Sequence, residues 1–372
     1  MTTLCKQPHS PALSNFNPSH SILPRTRFIT VRCNHTPSQL SFEPSPVSTL
    51  IKSFAPATIA NLGPGFDFLG CAVDGIGDTV TLRIDPMVHP GSLSISSIHS
   101  ADIATSKKLS CDPRWNCAGI AGMAVMRMIG IRSVGLSMTL EKGLPLGSGL
   151  GSSAASAAAA AVAMNEIFGR PLSIRDLILA GLESEAKVSG HHADNIAPAI
   201  MGGFVLVRSY EPLDLMPLQF PAGTELFFVL VSPKFEAPTK KMRAVLPKEV
   251  GMKMHVANCS QAAALVAAVL QGDGRLLGSA LSSDGIVEPS RIPLIPGMAA
   301  VKRAALEAGA FGCTISGAGP TAVAVTDNEE KGRVIGARMV KAFLEEGKLQ
   351  ASATIQRLDR VGARVVSSSS TS

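Results

Sequence analysis

The stretch PLGSGLGSSAASAAAAAVAMN, Pro145 to Asn165, sets a glycine-rich loop directly in front of the strongest helix former in the chain. GLSMTLEKGLPLG, which leads into it, reads as a strand, so the local order is strand, glycine loop, helix. The first N–H groups of a helix have no intrahelical partner, and the macrodipole places partial positive charge there. Gly147, Gly149 and Gly151 carry no Cβ atoms, which lets anionic oxygens approach the backbone. Ser152 and Ser153 sit where a hydroxyl can cap the helix or ligate a metal. The pattern is not the Walker form, since no lysine follows the glycines. Nor is it the dinucleotide fingerprint, because no G-x-x-G step occurs and no acidic residue ends a following strand.

Upstream, TLIKSFAPATIANLGPGFDFLG reads as strand-like segments broken by Pro56, Gly63, Pro64 and Gly65, followed by an alternating strand, DTVTLRI. NCAGIAGMAVMRMIG is a helix with Asn116 at its start and Gly130 at its end. Downstream, SIRDLILAGLESEAKVSG is an amphipathic helix ending at Gly190, and APAIMGGFVLV turns into a strand. The proline-rich SYEPLDLMPLQFPAGT marks a domain boundary. Beyond it come a buried strand, ELFFVLV, and two helices, CSQAAALVAAVLQGD and GMAAVKRAALEAGA. FGCTISGAGPTAVAVTD is a strand–glycine loop–strand unit. A helix over Glu329 to Glu346 precedes one closing strand, TIQRLDRVGARVV. Both halves mix helices and strands, so the class is α+β, with domains over residues 48–210 and 211–372.

Composition narrows the function. The chain has 372 residues, 46% apolar and 17% charged, which is a globular composition. One Trp and one Tyr leave few stacking platforms, so a nucleic-acid partner is not expected. No apolar run is long enough to span a membrane. Half of the net charge of +6 falls in the first fifty residues, where Lys6, Arg25, Arg27 and Arg32 face Glu43 alone. That acid-poor, Ser- and Pro-rich opening reads as a plastid transit peptide over residues 1–47. Seven scattered cysteines form no C-x-x-C and indicate neither zinc nor a disulfide framework.

P-x-x-x-G-L-G-S-S-A, Pro145 to Ala154, resembles the phosphate loop of a family of small-molecule kinases that includes galactokinase, homoserine kinase, mevalonate kinase and phosphomevalonate kinase. APATIANLGPGFDFLG, Ala55 to Gly70, and CTISGAGPTAVAV, Cys313 to Val325, resemble the first and third motifs of that family. SGHHADNIAPAIMGG and EPSRIPLIPG are similar to its homoserine kinase branch, of the plant plastid type. The resemblance runs from about Phe54 to the C-terminus. It implies an N-terminal domain of the ribosomal-protein-S5 second-domain type, a ferredoxin-like C-terminal domain, and an active site in the cleft between them. It further implies ATP and Mg2+, phosphorylation of the L-homoserine hydroxyl in threonine biosynthesis, a plastid stromal location and a homodimer.

Residue by residue, the resemblance puts ATP on Asn116 and on Pro145, Leu146, Gly147, Ser148, Gly149, Leu150, Gly151, Ser152 and Ser153. It puts the metal on Ser153 and a helix glutamate, Glu185 by alignment, with Glu183 as the neighbouring candidate. Asn61, Asp67, His192 and Asn195 would surround the amino acid, and Arg243 and Arg291 would grip its carboxylate. The physics agrees, since Asp67 can pair with an ammonium and a guanidinium meets a carboxylate through two parallel hydrogen bonds. Asn195 would position the hydroxyl, with Ser153 and Glu185 completing the catalytic set. Asp194 is expected to hold the turn rather than act as a base, and His191 to be structural. A kinase of another small alcohol, such as mevalonate or shikimate, and a non-catalytic regulatory member are the alternatives.

Overall fold

A computed structural model describes residues 43–101, 103–188, 190 and 192–370. The transit-peptide expectation therefore lies outside the described residues up to position 42. Chain already docked on the body begins at Glu43, whose Oε1 accepts the N–H groups of Arg132 and Ser133 at 2.8 Å and the Ser133 hydroxyl at 2.6 Å.

The first half runs β1 (Ser48–Ala60), β2 (Leu69–Ile84), β3 (Leu93–Ser100), α1 (Ile103–Lys108), α2 (Cys117–Ile129), β4 (Leu136–Lys142) and α3 (Ser152–Ile167). It continues through α4 (Ile174–Val188), α5 (Ala193–Met201), β5 (Phe204–Tyr210) and β6 (Leu213–Leu218). The second half is β7 (Phe227–Pro233), α6 (Thr239–Ala244), α7 (Met252–Gln271), α8 (Gly274–Leu281), α9 (Val287–Arg291) and α10 (Met298–Glu307). It ends with β8 (Gly312–Ile315), β9 (Ala322–Thr326), α11 (Glu329–Gly347), β10 (Ala351–Arg357) and β11 (Arg364–Ser370).

The first sheet has seven strands in the order β11-β1-β2-β4-β3, with β5 pairing β2 and β6 pairing β5. Only β3 and β4 are parallel among these pairs. The alanine helix α3 packs beneath it, buried along nearly its whole length. A helix apolar all round belongs in a core, and alanines let β1 and α2 come close. Ser53 Oγ even donates to the Ala159 carbonyl at 2.7 Å. The second sheet is antiparallel throughout, in the order β10-β7-β9-β8. With α10 after β7 and α11 after β9 it is a βαββαβ plait of the ferredoxin-like kind. Both its faces are covered: Val229 and Val231 join one apolar cluster, Phe228 and Leu230 the other, following strand alternation.

Three local expectations change. Pro56 does not break β1; the strand passes through it with a register shift between Pro56 and Ala57, an irregularity that accommodates a residue without an N–H. The proline-rich stretch contains β6, an edge strand in which Pro217 faces Val205. The closing segment is two strands in two sheets: β10 completes the plait and β11 returns to pair with β1. Asp359 makes that turn, accepting the Val361 and Gly362 N–H groups at 2.8 Å and Arg364 Nη1 at 2.7 Å. The first sheet thus takes two strands from beyond residue 210.

Candidate active site

A cavity of about 480 Å3 opens where the glycine loop, the β1–β2 turn, the start of α5, α6 and the β8–β9 loop meet. The loop after β4 is built from left-handed glycines, with φ of 61° at Gly147, 83° at Gly149 and 65° at Gly151. Two of them serve a second purpose. A Cβ on Gly149 would lie 2.4 Å from the Ser316 carbonyl oxygen, and one on Gly151 would lie 2.0 Å from Thr58 Oγ1. The third motif staples the loop: Ser316 Oγ donates to the Gly149 carbonyl at 2.7 Å and the Thr321 N–H to the Ser148 carbonyl at 3.1 Å. The first motif braces it too, with the Thr58 N–H donating to the Leu150 carbonyl at 3.1 Å.

Among the described residues no side chain caps α3, contrary to the capping role open to Ser152 and Ser153. Its N-cap is Gly151, and Ser153 lines the cavity beside the uncapped end, the arrangement an anion needs. Ser152 turns inward to a buried cluster that sequence reasoning missed. Lys142 and Asp78, both buried, form an ion pair beneath the loop. Lys142 Nζ also donates to Ser152 Oγ at 2.6 Å, the Ser152 carbonyl at 2.9 Å and Ser156 Oγ at 2.8 Å. Asp78 Oδ1 accepts the N–H groups of Gly143 and Leu144 at 3.0 and 3.2 Å. The signal was the lysine at an inward-facing position of a buried strand, just before the glycines rather than after them. Pro145 and Leu150 lie outside the cavity lining and shape the loop; the Pro145 carbonyl accepts Ser148 Oγ at 3.0 Å. Asn116 lines the cavity and caps α2, accepting the Ala118 N–H at 3.0 Å.

The two glutamates on α4 separate cleanly. Glu183 meets Arg127 of α2 on the surface at 2.6 and 2.7 Å. Glu185 is 2% exposed and lines the cavity, as Ser153 does. A carboxylate and a hydroxyl are the hard oxygen donors magnesium takes, and that ion usually keeps waters and borrows phosphate oxygens for the rest. Accordingly no group of three or more His, Cys, Asp or Glu able to hold a metal occurs among the described residues.

Asn61, Asp67, His192, Asp194, Asn195, Arg243 and Arg291 all line the same cavity. Asn61 and Asp67 both have left-handed backbones, φ 73° and 64°, and Asn61 Oδ1 accepts the Asp67 N–H at 3.0 Å. Asp67 and Arg243, expected on opposite ends of the substrate, hold each other through two parallel bonds of 2.9 and 2.5 Å. Arg243 Nη2 also lies 3.3 Å from His192 Nδ1. Arg291 is 3% exposed, and its hydrogen bonds go to carbonyls: Gly317 at 2.8 Å and Met242 at 3.2 Å. Burial, then the neighbouring Arg243 charge, pulls it down to about 10. Both guanidiniums lie over the Phe66 ring, at 5.2 and 5.0 Å. The Gly317 carbonyl also accepts Asn61 Nδ2 at 2.7 Å, tying the first motif to the third.

Asn195 is fixed by Thr58, whose Oγ1 donates to its Oδ1 at 2.9 Å. Asp194 is buried, and its Oδ1 has no hydrogen-bond partner among the described residues. Burial first, and then the Asp67 charge, pushes its carboxyl up to about 7. Tyr210 is a further residue missed in sequence: its hydroxyl accepts the Ala193 N–H at 3.3 Å and donates to the Asp67 carbonyl at 3.2 Å. His191 lies outside the described residues.

Residues 118–203 match the GHMP kinases N terminal domain, and residues 265–346 the GHMP kinases C terminal domain. A homoserine kinase of Arabidopsis thaliana is 67% identical over 371 residues, covering 99% of each chain. The chain belongs to the homoserine kinase family. Another homoserine kinase, of Chlorobium phaeovibrioides, is 43% identical over 324 residues, 85% of this chain and 99% of that one. The crystal structure of homoserine kinase from Cytophaga hutchinsonii superposes with a TM-score of 0.79 at 40% identity, covering 88% of this chain and all of that one. Kinases of this family are phosphotransferases of the two-domain α+β fold described above, so the cavity lies where the family's two domain types meet.

Proposed function

We propose that the chain transfers the γ-phosphoryl group of ATP to the side-chain hydroxyl of L-homoserine, giving O-phospho-L-homoserine and ADP. The observation that carries this reading is Arg291, a buried cation whose hydrogen bonds end on neutral carbonyls, beside an Asp67–Arg243 pair. A cavity with a cation in want of an anion, and a carboxylate close by, suits a zwitterionic amino acid better than mevalonate or galactose. Arg291 and Arg243 would take the carboxylate and Asp67 the ammonium, which leaves the hydroxyl beside Asn195 and the mouth of the glycine loop.

Phosphoryl transfer asks mainly for positioning and charge neutralisation. The Gly147–Ser153 backbone and the uncapped end of α3 would hold the triphosphate, and the buried Lys142–Asp78 pair would brace the loop from beneath. Asn195, locked by Thr58, would orient the hydroxyl for in-line attack. Ser153 and Glu185 would hold Mg2+, which when bound neutralises charge on the phosphates. A second reading of the proton's path rests on Asp194: a buried carboxyl poised near neutrality with an unpartnered oxygen can accept the hydroxyl proton. The acid-poor opening segment supports import into the plastid stroma, and resemblance to the family supports a homodimer.

The test is ADP release by the full chain with Mg-ATP and a panel of L-homoserine, mevalonate, shikimate and galactose. Selective turnover of L-homoserine, lost on chelation of magnesium, is expected. Preference for another alcohol would keep the scaffold and overturn the substrate. ATP binding without turnover of any of them would favour a regulatory member.

A further inference from the structure

The helix α9 is five residues long, too short to stand without tertiary support, and Val287, Glu288 and Arg291 in it are buried. Asp284 holds its start: Oδ1 accepts the N–H groups of Ile286 and Val287 at 2.9 and 3.2 Å, and Oδ2 that of Glu288 at 2.7 Å. Glu288 is 4% exposed and lies outside the lining of the catalytic cavity. Its Oε1 accepts the Ile315 N–H at 2.9 Å, and its Oε2 pairs with Lys302 of α10. Ile315 ends β8, an edge strand of the plait, so the carboxylate takes the place of a neighbouring strand at that N–H. Burial holds the Glu288 carboxyl above its ordinary range despite Lys302, and apolar side chains in place of such a buried pair are often no less stabilising. Stability alone does not explain the charge.

Two residues beyond Ile315 the same loop meets the other end of α9. The Gly317 carbonyl accepts Arg291 Nη1 at 2.8 Å and Asn61 Nδ2 at 2.7 Å, and the Gly317 N–H donates to the Ala60 carbonyl at 3.0 Å. Glu288 and Arg291 are one turn apart on α9, so they clasp the third motif at two points, Ile315 and Gly317. Arg291 Nε is taken by the Met242 carbonyl at 3.2 Å. With Nε and Nη1 on backbone carbonyls, Nη2 makes no hydrogen bond among the described residues and is the nitrogen left for an anion. Its direction depends on where the Gly317 carbonyl sits. We propose that Glu288 is a positioning residue for phosphoryl transfer: by seating the third motif against α9 it aims the Arg291 guanidinium at the substrate carboxylate. The inference rests on the carboxylate-binding role given to Arg291 above.

Steady-state kinetics of the full chain with Mg-ATP, homoserine and aminopropanol, which lacks only the carboxylate, test it. Glu288→Ala should raise KM for homoserine about tenfold or more, with kcat within about threefold and KM for ATP within about twofold of the parent. Glu288→Gln, whose amide oxygen can still accept the Ile315 N–H, should bring KM back to within about threefold. Because Glu288 acts through Arg291, adding Glu288→Ala to Arg291→Met should change KM little further, whereas independent losses would multiply. Should Glu288→Ala fail to fold, Glu288→Asp, which draws the oxygens back by one methylene, carries the same comparison. KM values for homoserine and ATP that rise alike, a Gln variant no better than the Ala one, or losses that multiply would overturn the positioning role and leave Arg291 as the carboxylate's partner. An Arg291→Met chain that keeps the parent's KM for homoserine and its rejection of aminopropanol would overturn the role of Arg291 itself, and this inference with it.

Discussion

Replacing Arg291 by methionine keeps an apolar stem against Phe66 and removes the guanidinium. In the parent that cation is buried and bonded to two carbonyls, and Asp67, Asp284 and Asp194 act on it through space without an ion pair among the described residues. A hydrogen bond to a charged group contributes about 1.5–3 kcal/mol, so losing the carboxylate's partner should cut kcat/KM for homoserine by roughly 10- to 100-fold. The loss should fall mainly on KM, because the carboxylate is held equally in ground and transition states, and KM for ATP should stay within about twofold. Coupled ADP release at saturating Mg-ATP measures both. Aminopropanol, which is homoserine without its carboxylate, supplies the control. The parent should discriminate strongly against it, and Arg291→Met should erase most of that discrimination. If the variant raises both KM values alike, or still rejects aminopropanol as the parent does, Arg291 does not read the carboxylate.

Glu185→Gln should lower turnover at least tenfold and raise the magnesium requirement, whereas Glu183→Gln, which breaks only a surface pair, should cost under about 1 kcal/mol and leave kinetics unchanged; a magnesium titration of both variants distinguishes them. Lys142→Met leaves Asp78 as a buried, uncompensated charge and should destabilise by about 3–5 kcal/mol in urea. Adding Asp78→Asn should restore most of that stability but not activity. Asp194, raised from 3.8 to about 7 in the fold, keeps a proton that the unfolded chain releases, so the parent should lose stability as pH rises from about 4 to about 7. Asp194→Asn should lack that slope and escape a loss of roughly 4 kcal/mol that the parent suffers by pH 8; equal slopes in the two would remove the raised carboxyl. A loss of turnover in Asp194→Asn, together with a flattened acid limb in its pH–rate profile, is expected only if Asp194 takes the hydroxyl proton.

Pro145 to Asn165 announced its own structure because every cue in it is local: glycines that need left-handed backbone, a helix beginning at a serine pair, alanines that keep it buried. The capped helix at Asn116–Gly130 and the strand–glycine loop–strand unit at Cys313–Val325 were legible for the same reason. The residues given binding roles by motif, Pro145 and Leu150 apart, line one cavity, since three separated glycine-containing segments are hydrogen-bonded to each other there through Gly149, Ser316 and Gly317. What the sequence could not decide was set by partners far along the chain. Glu183 and Glu185 are two residues apart on one helix, and only packing against Arg127 turns one outward while the cavity takes the other. Lys142 looked like the end of a strand until Asp78, 64 residues away, met it under the loop. TIQRLDRVGARVV reads as one closing strand, yet its two halves belong to different sheets, because sheet membership is chosen by the unpaired edge a strand reaches and not by its own periodicity. Local chemistry fixed the motifs, and tertiary packing alone assigned each charged side chain its partner.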